Sequence, residues 1–273
     1  MNYRHAFHAG NFADVMKHAV LIWLLDAMAR KPKPFFVLDT HAGPGFADLG
    51  AGPAMRTGEW RGGIGRLLDA EAPDVLTPYL TLIQRLGLYP GSPAIIRAML
   101  RPGDRLAACE LHPEDHAALR ARFAGDRQVG IHHRDGYEAV KALLPPPERR
   151  GLILLDPPFE AADEFARLAE ALRAGLARFP AGVFAAWYPI KHRAPVRDFL
   201  GALQSFGIRD MVAAELWLRA PLDPARLNGC GMLIANPPFG FEAEIPPLLD
   251  ALSLALAERG FGEGSGVTRI ADE

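Results

Sequence analysis

Short, nearly continuous apolar runs recur along the chain, and segments with apolar residues at helical spacing lie between them. The runs are typical of strands buried on both faces, and a period of about 3.6 residues is typical of amphipathic helices. The predicted strands are 35–39, 105–111, 129–133, 151–155, 182–187, 215–218 and 232–235. Because strands and helices alternate, we expect a mostly parallel, doubly wound α/β sheet. Such sheets bind ligands beyond the carboxyl ends of their strands.

Capping residues predict where several helices begin. Asn11 is a candidate N-cap, with Asp14 in the first turn, and prolines follow that helix near residue 30. Ser92 before Pro93 is typical of a cap and a first turn. Further helices are expected at 113–124, 138–144, 165–179 and 196–206.

Residues 46–90 have a different character from the rest of the chain. Six glycines fall between positions 50 and 65, and a helical pattern of leucine and isoleucine follows. We interpret 46–90 as a small inserted helical subdomain, and 1–45 with 91–273 as one Rossmann-like domain. The amino-terminal segment of that domain is expected to face the substrate.

The composition is that of a globular protein, with 49% hydrophobic and 23% charged residues. We expect no membrane span, because no apolar run approaches about 18 residues, and no signal peptide. Cys109 and Cys230 lie in apolar runs without metal-ligand spacing, so buried thiols in a cytoplasmic protein are expected. The histidines form no HExxH pattern, so no metal site is predicted.

The net charge of −2 bears on any nucleic-acid function. Phosphate neutralisation supplies much of the affinity of nucleic-acid binders, so a binder with this charge must use local basic patches. The candidates are the amino terminus (Arg4, His5, His8, Lys17, His18) and the stretch 120–134, which could equally be a solvated helix face and loop.

Three features at predicted strand ends suggest a nucleoside site. The glycine-rich 39–45 follows the first strand, where glycine allows close approach to a ligand; alone it would also serve an NAD site or mere packing. Glu110 ends the next strand, where a carboxylate can accept ribose hydroxyls. Asp135-Gly136 follows the third strand and could accept an adenine amine, although it is also an ordinary turn sequence.

The most specific feature is Asp156-Pro157-Pro158-Phe159 after the fourth strand. An aromatic amine is a poor nucleophile because its lone pair is delocalised into the ring. A carboxylate and the Pro157 carbonyl, each accepting one amine hydrogen, would localise that lone pair, and Phe159 could stack on an extruded base. The pattern predicts amine methylation, with Asp156, Pro157 and Phe159 as catalytic residues.

A second tetrapeptide, Asn236-Pro237-Pro238-Phe239, also follows an apolar strand. The order of the motifs favours Asp156 as the catalytic copy, since it alone follows the fourth strand. A lesser role for the second copy, lining the same cleft, is expected.

Several blocks of the sequence resemble the RlmJ-type 23S rRNA adenine-N6 methyltransferases. They are 3–18, 38–43, 89–93, 110–113, 135–136, 149–158, 186–189 and 231–238. The similarity runs almost end to end. It implies a Rossmann-like class I fold that uses S-adenosyl-L-methionine (AdoMet) and carries an inserted helical subdomain.

The resemblance also implies roles for individual residues. Those implied to contact AdoMet are His18, His41, Ser92, Glu110, Asp135, Gly136 and Asp156. Asp156 corresponds to the catalytic acceptor and Tyr3 to a residue that touches the substrate. Lys17 is a candidate phosphate contact, and Phe159 stands where the family often has tyrosine.

The function predicted from the sequence is N6 methylation of an adenine in 23S rRNA, on free RNA, by a cytoplasmic monomer that needs no metal. A DNA adenine-N6 methyltransferase is an alternative, but a 45-residue insertion leaves little room for a target-recognition domain. An NAD-dependent oxidoreductase would require GxGxxG, which 39–45 does not supply. A non-catalytic RNA-binding module would not need Glu110, Asp135 and Asp156 together.

Overall fold

The computed structural model describes residues 7–69, 73–257 and 260–272. Within these residues the strands are, in chain order, β1 (Phe36–Asp39), β2 (Phe46–Ala47), β3 (Tyr89–Pro90), β4 (Arg105–Cys109), β5 (Val129–His132), β6 (Gly151–Leu155), β7 (Val183–Ile190), β8 (Met211–Trp217), β9 (Gly229–Ala235) and β10 (Gly264–Ala271).

The helices of the same residues are α1 (Phe12–Ala29), α2 (Gly52–Thr57), α3 (Ile64–Leu68), α4 (Thr77–Leu86), α5 (Ser92–Met99), α6 (Pro113–Arg122), α7 (Gly136–Leu143), α8 (Glu164–Arg178), α9 (Arg193–Ser205) and α10 (Phe241–Leu256). Short 3-10 turns lie at Glu59–Gly62 and Asp74–Leu76.

The main sheet has eight strands in the order β10-β8-β9-β7-β6-β1-β4-β5. Strands β5, β4, β1, β6 and β7 are mutually parallel, whereas β9 runs antiparallel to both β7 and β8. The predicted mostly parallel α/β sheet is therefore confirmed. The chain builds outward from β1 to β4 and β5 and then returns to place β6 beside β1. The strand order thus reverses between β1 and β6. Sheets of this kind bind ligands at the carboxyl ends of the strands where the order reverses.

Two apolar layers sandwich the sheet. Helices α1, α5, α6 and α10 contribute to one buried cluster, and α7, α8 and α9 contribute to the other. Side chains of β1 alternate between them, with Val37 in the first cluster and Phe36 and Leu38 in the second. Burial on both faces explains why the strand sequences are continuously apolar rather than alternating.

The predicted cap of α1 is confirmed, because Asn11 accepts a hydrogen bond from the Asp14 amide. The predicted cap of α5 is wrong. Gly91 occupies the N-cap position and Ser92 is the first helical residue. The Ser92 hydroxyl instead donates to Asp39 Oδ2 at 2.7 Å. It therefore links α5 to the end of β1.

The segment between β2 and β3 packs against the start of α1. The Ile64 amide donates to the Gly10 carbonyl at 2.9 Å. A Cβ atom at Gly63 would lie 2.1 Å from that same carbonyl oxygen, so only glycine permits this approach. Close contact with the backbone of Gly10 therefore explains one glycine of this segment, Gly63.

Both cysteines are free and buried, as expected from their apolar surroundings. Burial raises the pKa of each thiol, Cys109 and Cys230, to about 12, so both are neutral at ordinary pH. No helix within the described ranges is long and apolar enough to cross a membrane.

Gly231 on β9 provides a test of packing between strands. A Cβ there would lie 2.3 Å from the ring of the fully buried Tyr188 on β7. We expect Gly231→Ala to lower the free energy of unfolding by about 1–3 kcal/mol, as overpacking of cores does. Urea denaturation measures this change.

The matched control is Gly201→Ala on α9, where a Cβ meets no atom within 4 Å. Alanine at a helical site should be neutral or stabilising by about 0.5–1 kcal/mol. Equal stabilities for the two variants would contradict the packing argument.

Candidate active site

Two cavities open at the carboxyl ends of the parallel strands, on either side of Asp156 and Pro158, which line both. The smaller cavity measures about 60 Å³. The larger measures about 580 Å³. The end of β6 therefore forms the wall between two compartments, as a two-substrate reaction requires.

The smaller cavity collects residues from four strand ends. Its lining consists of Thr40, His41, Gly43, Glu110, Leu111, Asp115, Asp135, Gly136, Asp156 and Pro158. The sequence therefore located correctly a set of polar groups that converge at one edge of the sheet.

Backbone donors orient the Glu110 carboxylate in this cavity. The Gly43 amide donates to Oε2 at 2.8 Å and the His112 amide donates to Oε1 at 2.6 Å. Burial nevertheless raises the pKa of Glu110 above its ordinary value, although these two amides oppose the change. A desolvated, oriented carboxylate is suited to accept hydroxyl hydrogens from a sugar.

Gly136 shapes the opposite side of the cavity. A Cβ atom there would lie 2.3 Å from the Thr40 carbonyl and 2.7 Å from the His41 ring, so no larger residue is accommodated. Asp135 precedes it and caps α7 by accepting the amides of Tyr137 and Glu138. Desolvation lowers the pKa of His41 to about 4, so this imidazole is neutral.

Asp39 lies buried just behind the smaller cavity. Its Oδ2 accepts the Ser92 hydroxyl, whereas Oδ1 has no hydrogen-bond partner among the described residues. Burial is the main reason that the pKa of Asp39 is raised to about 7, and the Ser92 hydrogen bond opposes that rise. A buried carboxylate with one unused oxygen is a candidate for a polar group of a ligand.

The larger cavity lies between the start of α1, the ends of β7 and β8, and the 59–66 segment. Asp156, Pro157, Pro158 and Phe159 all line it. Phe159 adopts a φ of +50°, which is costly for a residue with a side chain. Packing compensates, because its ring contacts Phe165 and Trp187 edge-on at centroid distances of 4.8 and 5.7 Å.

A buried ion cluster links α1 to the end of β6. Lys17 Nζ lies 2.5 Å from Asp156 Oδ2 and 2.8 Å from Asp14 Oδ1. Burial lowers the pKa of Lys17, but the charges of Asp14 and Asp156 outweigh it, and the pKa lies above its ordinary value. The ammonium is therefore permanently charged, and it holds Asp156 by one carboxylate oxygen.

The second tetrapeptide does not line this cleft, and the lesser role expected for it is wrong. Because β9 is antiparallel to β7, its last residue, Ala235, pairs with Phe184 at the beginning of β7. Asn236 donates to the carbonyls of Pro180 and Gly182 at the opposite edge of the sheet.

Some predicted site residues lie outside both cavities. His18 is fully buried and its Nδ1 lies 3.1 Å from the Tyr89 hydroxyl, while Ser92 is engaged with Asp39. Their contacts with AdoMet stay predictions. Tyr3 lies outside the described residues. None of the basic residues of 120–134 lines either cavity, and Arg122 stacks over the Phe46 ring instead.

The sequence interpretation gave no site role to Asp14, Asp39 or Trp187. The Asp14–Lys17 spacing of three residues is a recognisable helical ion pair, and it could have identified Asp14. Asp39 was assigned to the end of the first strand and the start of the glycine-rich 39–45, without a role of its own. In the described part of the chain, no group of three histidine, cysteine or acidic residues is arranged to hold a metal ion.

The strand order and the paired cavities define the fold as the Rossmann-like fold of class I methyltransferases. The family model described as ribosomal RNA large subunit methyltransferase D, RlmJ, matches residues 32–267. The chain belongs to this family.

Curated relatives and a solved structure agree with this assignment. The chain is 39% identical over 270 residues to ribosomal RNA large subunit methyltransferase J of Haemophilus influenzae, covering 96% of each chain. It is 38% identical over 272 residues to the Escherichia coli protein of that name, covering 97% of each. The crystal structure of protein LPL1258 from Legionella pneumophila superposes with a TM-score of 0.87 at 34% identity, covering 96% of this chain and 98% of that one.

Lys17→Met tests the buried ion cluster. The substitution would leave Asp14 and Asp156, whose side chains are 2% and 11% exposed, without their shared cation. Breaking a buried pair in this way should lower the free energy of unfolding by about 3–5 kcal/mol. Adding Asp14→Asn should restore part of the loss, as measured by urea denaturation.

The control is Lys191→Met, since Lys191 is exposed and should change stability by less than about 0.5 kcal/mol. If Lys17→Met were as stable as this control, the cluster would have no role in stability.

The raised pKa of Asp39 predicts that the stability of the ligand-free protein depends on pH. Its pKa rises from 3.8 to about 7 on folding, so the protonated form is favoured in the folded state. The contribution of the Asp39 carboxyl to the free energy of unfolding is fully present below pH 3.8 and is lost as the pH rises through 7. Relative to Asp39→Asn, the wild type should therefore lose roughly 2–3 kcal/mol of stability between pH 5 and pH 8.

Chemical denaturation of both proteins at the two pH values measures this difference. Asp198→Asn, on the exposed surface of α9, controls for the removal of one negative charge. A stability difference between wild type and Asp39→Asn that does not vary with pH would contradict the assignment.

Proposed function

We propose that the chain is an AdoMet-dependent methyltransferase that methylates the exocyclic N6 of an adenine in 23S rRNA. Membership of the RlmJ family and the activity for which its relatives are named support the class of substrate. The single observation that carries the chemistry is the position of Asp156 on the wall between the two cavities, with Pro157 next to it lining the larger one.

The residues around the smaller cavity have the chemistry that AdoMet requires, and because its volume of about 60 Å³ is well below the roughly 300–1,000 Å³ of whole-ligand sites, only part of the cofactor would lie inside it. Glu110 offers an oriented carboxylate for ribose hydroxyls, Asp135 offers one for the adenine amine, and Gly136 leaves space that a side chain would fill. The unused Oδ1 of Asp39 is available to the amino-acid end of the cofactor, directly or through water. His18, His41 and Ser92 complete the proposed contacts. When bound there, AdoMet supplies a methyl group made electrophilic by its sulfonium.

The larger cavity would receive the target adenine. Phe159 is an aromatic wall on which a base can stack, and Trp187 supports its ring. Stacking of this kind contributes about 1–3 kcal/mol per base. Tyr3 is a proposed further contact to the RNA, and Lys17, which lines this cavity but is held between Asp14 and Asp156, is proposed to lie beside the bound base.

Asp156 and Pro157 act on the amine. One carboxylate oxygen of Asp156 is held by Lys17, and the other, Oδ1, can accept an N6 hydrogen. The Pro157 carbonyl accepts the second hydrogen, so the nitrogen lone pair is no longer drawn into the ring. After transfer, the methylated nitrogen loses one proton to Asp156, which releases it to water. Lys17 stays protonated throughout because of its raised pKa.

We also propose that residues 46–90 act as an inserted helical subdomain on the substrate side. Glu59, Gly62 and Arg66 of this segment line the larger cavity and none of its residues lines the smaller one. The segment is therefore suited to select RNA rather than cofactor. Action on free RNA, by a monomer, remains part of this proposal.

Asp156→Ala tests the assigned acceptor. Radiolabelled AdoMet is offered with unmodified 23S rRNA, with DNA or with neither. The wild type should label only the RNA, and mass spectrometry should identify N6-methyladenosine. Asp156→Ala should reduce transfer by about two to four orders of magnitude, while calorimetry finds AdoMet affinity within a few-fold of wild type.

The matched control is Phe239→Ala in the second tetrapeptide, where the side chain is 98% exposed at the other edge of the sheet. It should retain wild-type activity. Near-normal methylation by Asp156→Ala would show that another group accepts the proton, and labelling of DNA in preference to RNA would reject the proposed substrate.

A further inference from the structure

The larger cavity offers more space than one base needs. Its volume of about 580 Å³ falls within the roughly 300–1,000 Å³ of sites that enclose whole drug-sized ligands. Asp156 and Pro158 lie on the wall shared with the smaller cavity, Phe159 lines only the larger one, and a second group of residues lines the remainder. The backbone next to the adenine is the natural occupant of that space.

The carboxylates along this cavity are already matched by donors. Asp14 and Asp156 share Lys17. Glu59 accepts from His8 and Asn11 at 3.0 Å, and its pKa is lowered because these hydrogen bonds outweigh the effect of burial. These contacts orient the carboxylates but do not cancel all of their charge, since Lys17 is one cation shared by two carboxylates, so a phosphate bound at this cavity needs further cations.

Lys191, in contrast to Lys17, is an exposed cation, and it has no carboxylate partner among the described residues. It lines the cavity just beyond the end of β7. Its backbone is nonetheless held firmly, because the fully buried Asn228 donates to the Lys191 carbonyl at 2.7 Å and to the Asp223 carbonyl at 2.7 Å. The backbone of Lys191 is therefore fixed, while its long, solvated side chain lies at the cavity.

Arg66 on α3 lines the same cavity from the 46–90 segment. One of its nitrogens, Nη1, donates to the carbonyls of Leu256 and Ala257 at the end of α10. These neutral partners position the guanidinium without cancelling its charge. Among the described residues Nε and Nη2 have no hydrogen-bond partner, so they can bind two phosphate oxygens at once.

We propose that Lys191 and Arg66 form a phosphate rim, which binds the backbone phosphates of the RNA strand flanking the target adenine. The inference rests on the proposed function. A base that enters the cavity must leave its stack, so the strand beside it is locally single-stranded. Lys191 approaches from the main sheet and Arg66 from the 46–90 segment, so the strand lies between the two.

The test is the salt dependence of methylation of unmodified 23S rRNA by Lys191→Ala and Arg66→Ala. Each lost phosphate contact should raise KM about tenfold at low salt and leave kcat within about twofold. The slope of log KM against log salt concentration should decrease by about 0.7 for each variant, as expected for single strands. AdoMet affinity, measured by calorimetry, should be unchanged.

Three control variants distinguish an effect on RNA binding from an effect on folding and from a change in the net charge of the protein. Arg197→Ala removes an arginine that is 78% exposed on α9 and lines neither cavity, so KM and the salt slope should match wild type. Lys191→Arg should retain the wild-type slope because the charge is kept. Arg66→Lys keeps the charge and should retain most of the salt slope. This variant also shows whether loss of the contacts with α10 alone affects KM. Thermal unfolding of each variant monitors folding.

The outcomes distinguish this inference from the function on which it rests. If wild type methylates 23S rRNA but Lys191→Ala and Arg66→Ala keep its salt slope, the phosphate rim is wrong and the function stands. An equal change in Arg197→Ala would likewise overturn it, because the effect would then be one of net charge. Failure of the wild type to methylate any RNA would reject the function itself.

Discussion

The burial of one ammonium group organises the site. Lys17 is almost inaccessible to water, and such a charge is tolerated only if counter-charges accompany it. Asp14 supplies one from the same helix and Asp156 supplies the other from the end of β6. Their attraction requires the start of α1 to lie against the carboxyl edge of the sheet. The helix thereby closes one side of the larger cavity and leaves the smaller cavity to the strand ends.

The sequence predicted the sheet and much of the smaller cavity because both depend on local signals. Apolar runs mark buried strands, and residues that follow parallel strands converge whatever the loops between them do. Glu110, Asp135 and Asp156 were located in this way. The direction of a strand carries no such signal, since β6 and β9 are equally apolar. The tetrapeptide after β9 was therefore placed at the wrong edge, although its sequence so closely resembles the catalytic one.

Features that depend on distant contacts were not predictable from local patterns. Ser92 has the sequence of a helix cap, yet its hydroxyl bonds to Asp39, which lies 53 positions earlier. Helix α10 contains Pro246 and Pro247, which ordinarily argue against a helix, and strand β10 is an edge strand that is only partly buried and includes two glycines. Packing against β8 overrides the local preference in both elements.

The net charge of the chain was the main argument from the sequence against a nucleic-acid substrate. The structure shows why a sum over all residues is a poor guide. Part of the acidic charge is engaged in ion pairs such as Arg269 with Glu242, and these two residues line neither cavity. At the proposed phosphate rim, a strand of RNA would meet the exposed charges of Lys191 and Arg66, neither of which is paired with a carboxylate in the part of the chain that the structure describes. A slightly acidic protein can therefore attract a polyanion at one surface, and the modest number of cations there favours short, single-stranded contacts over binding to a long duplex.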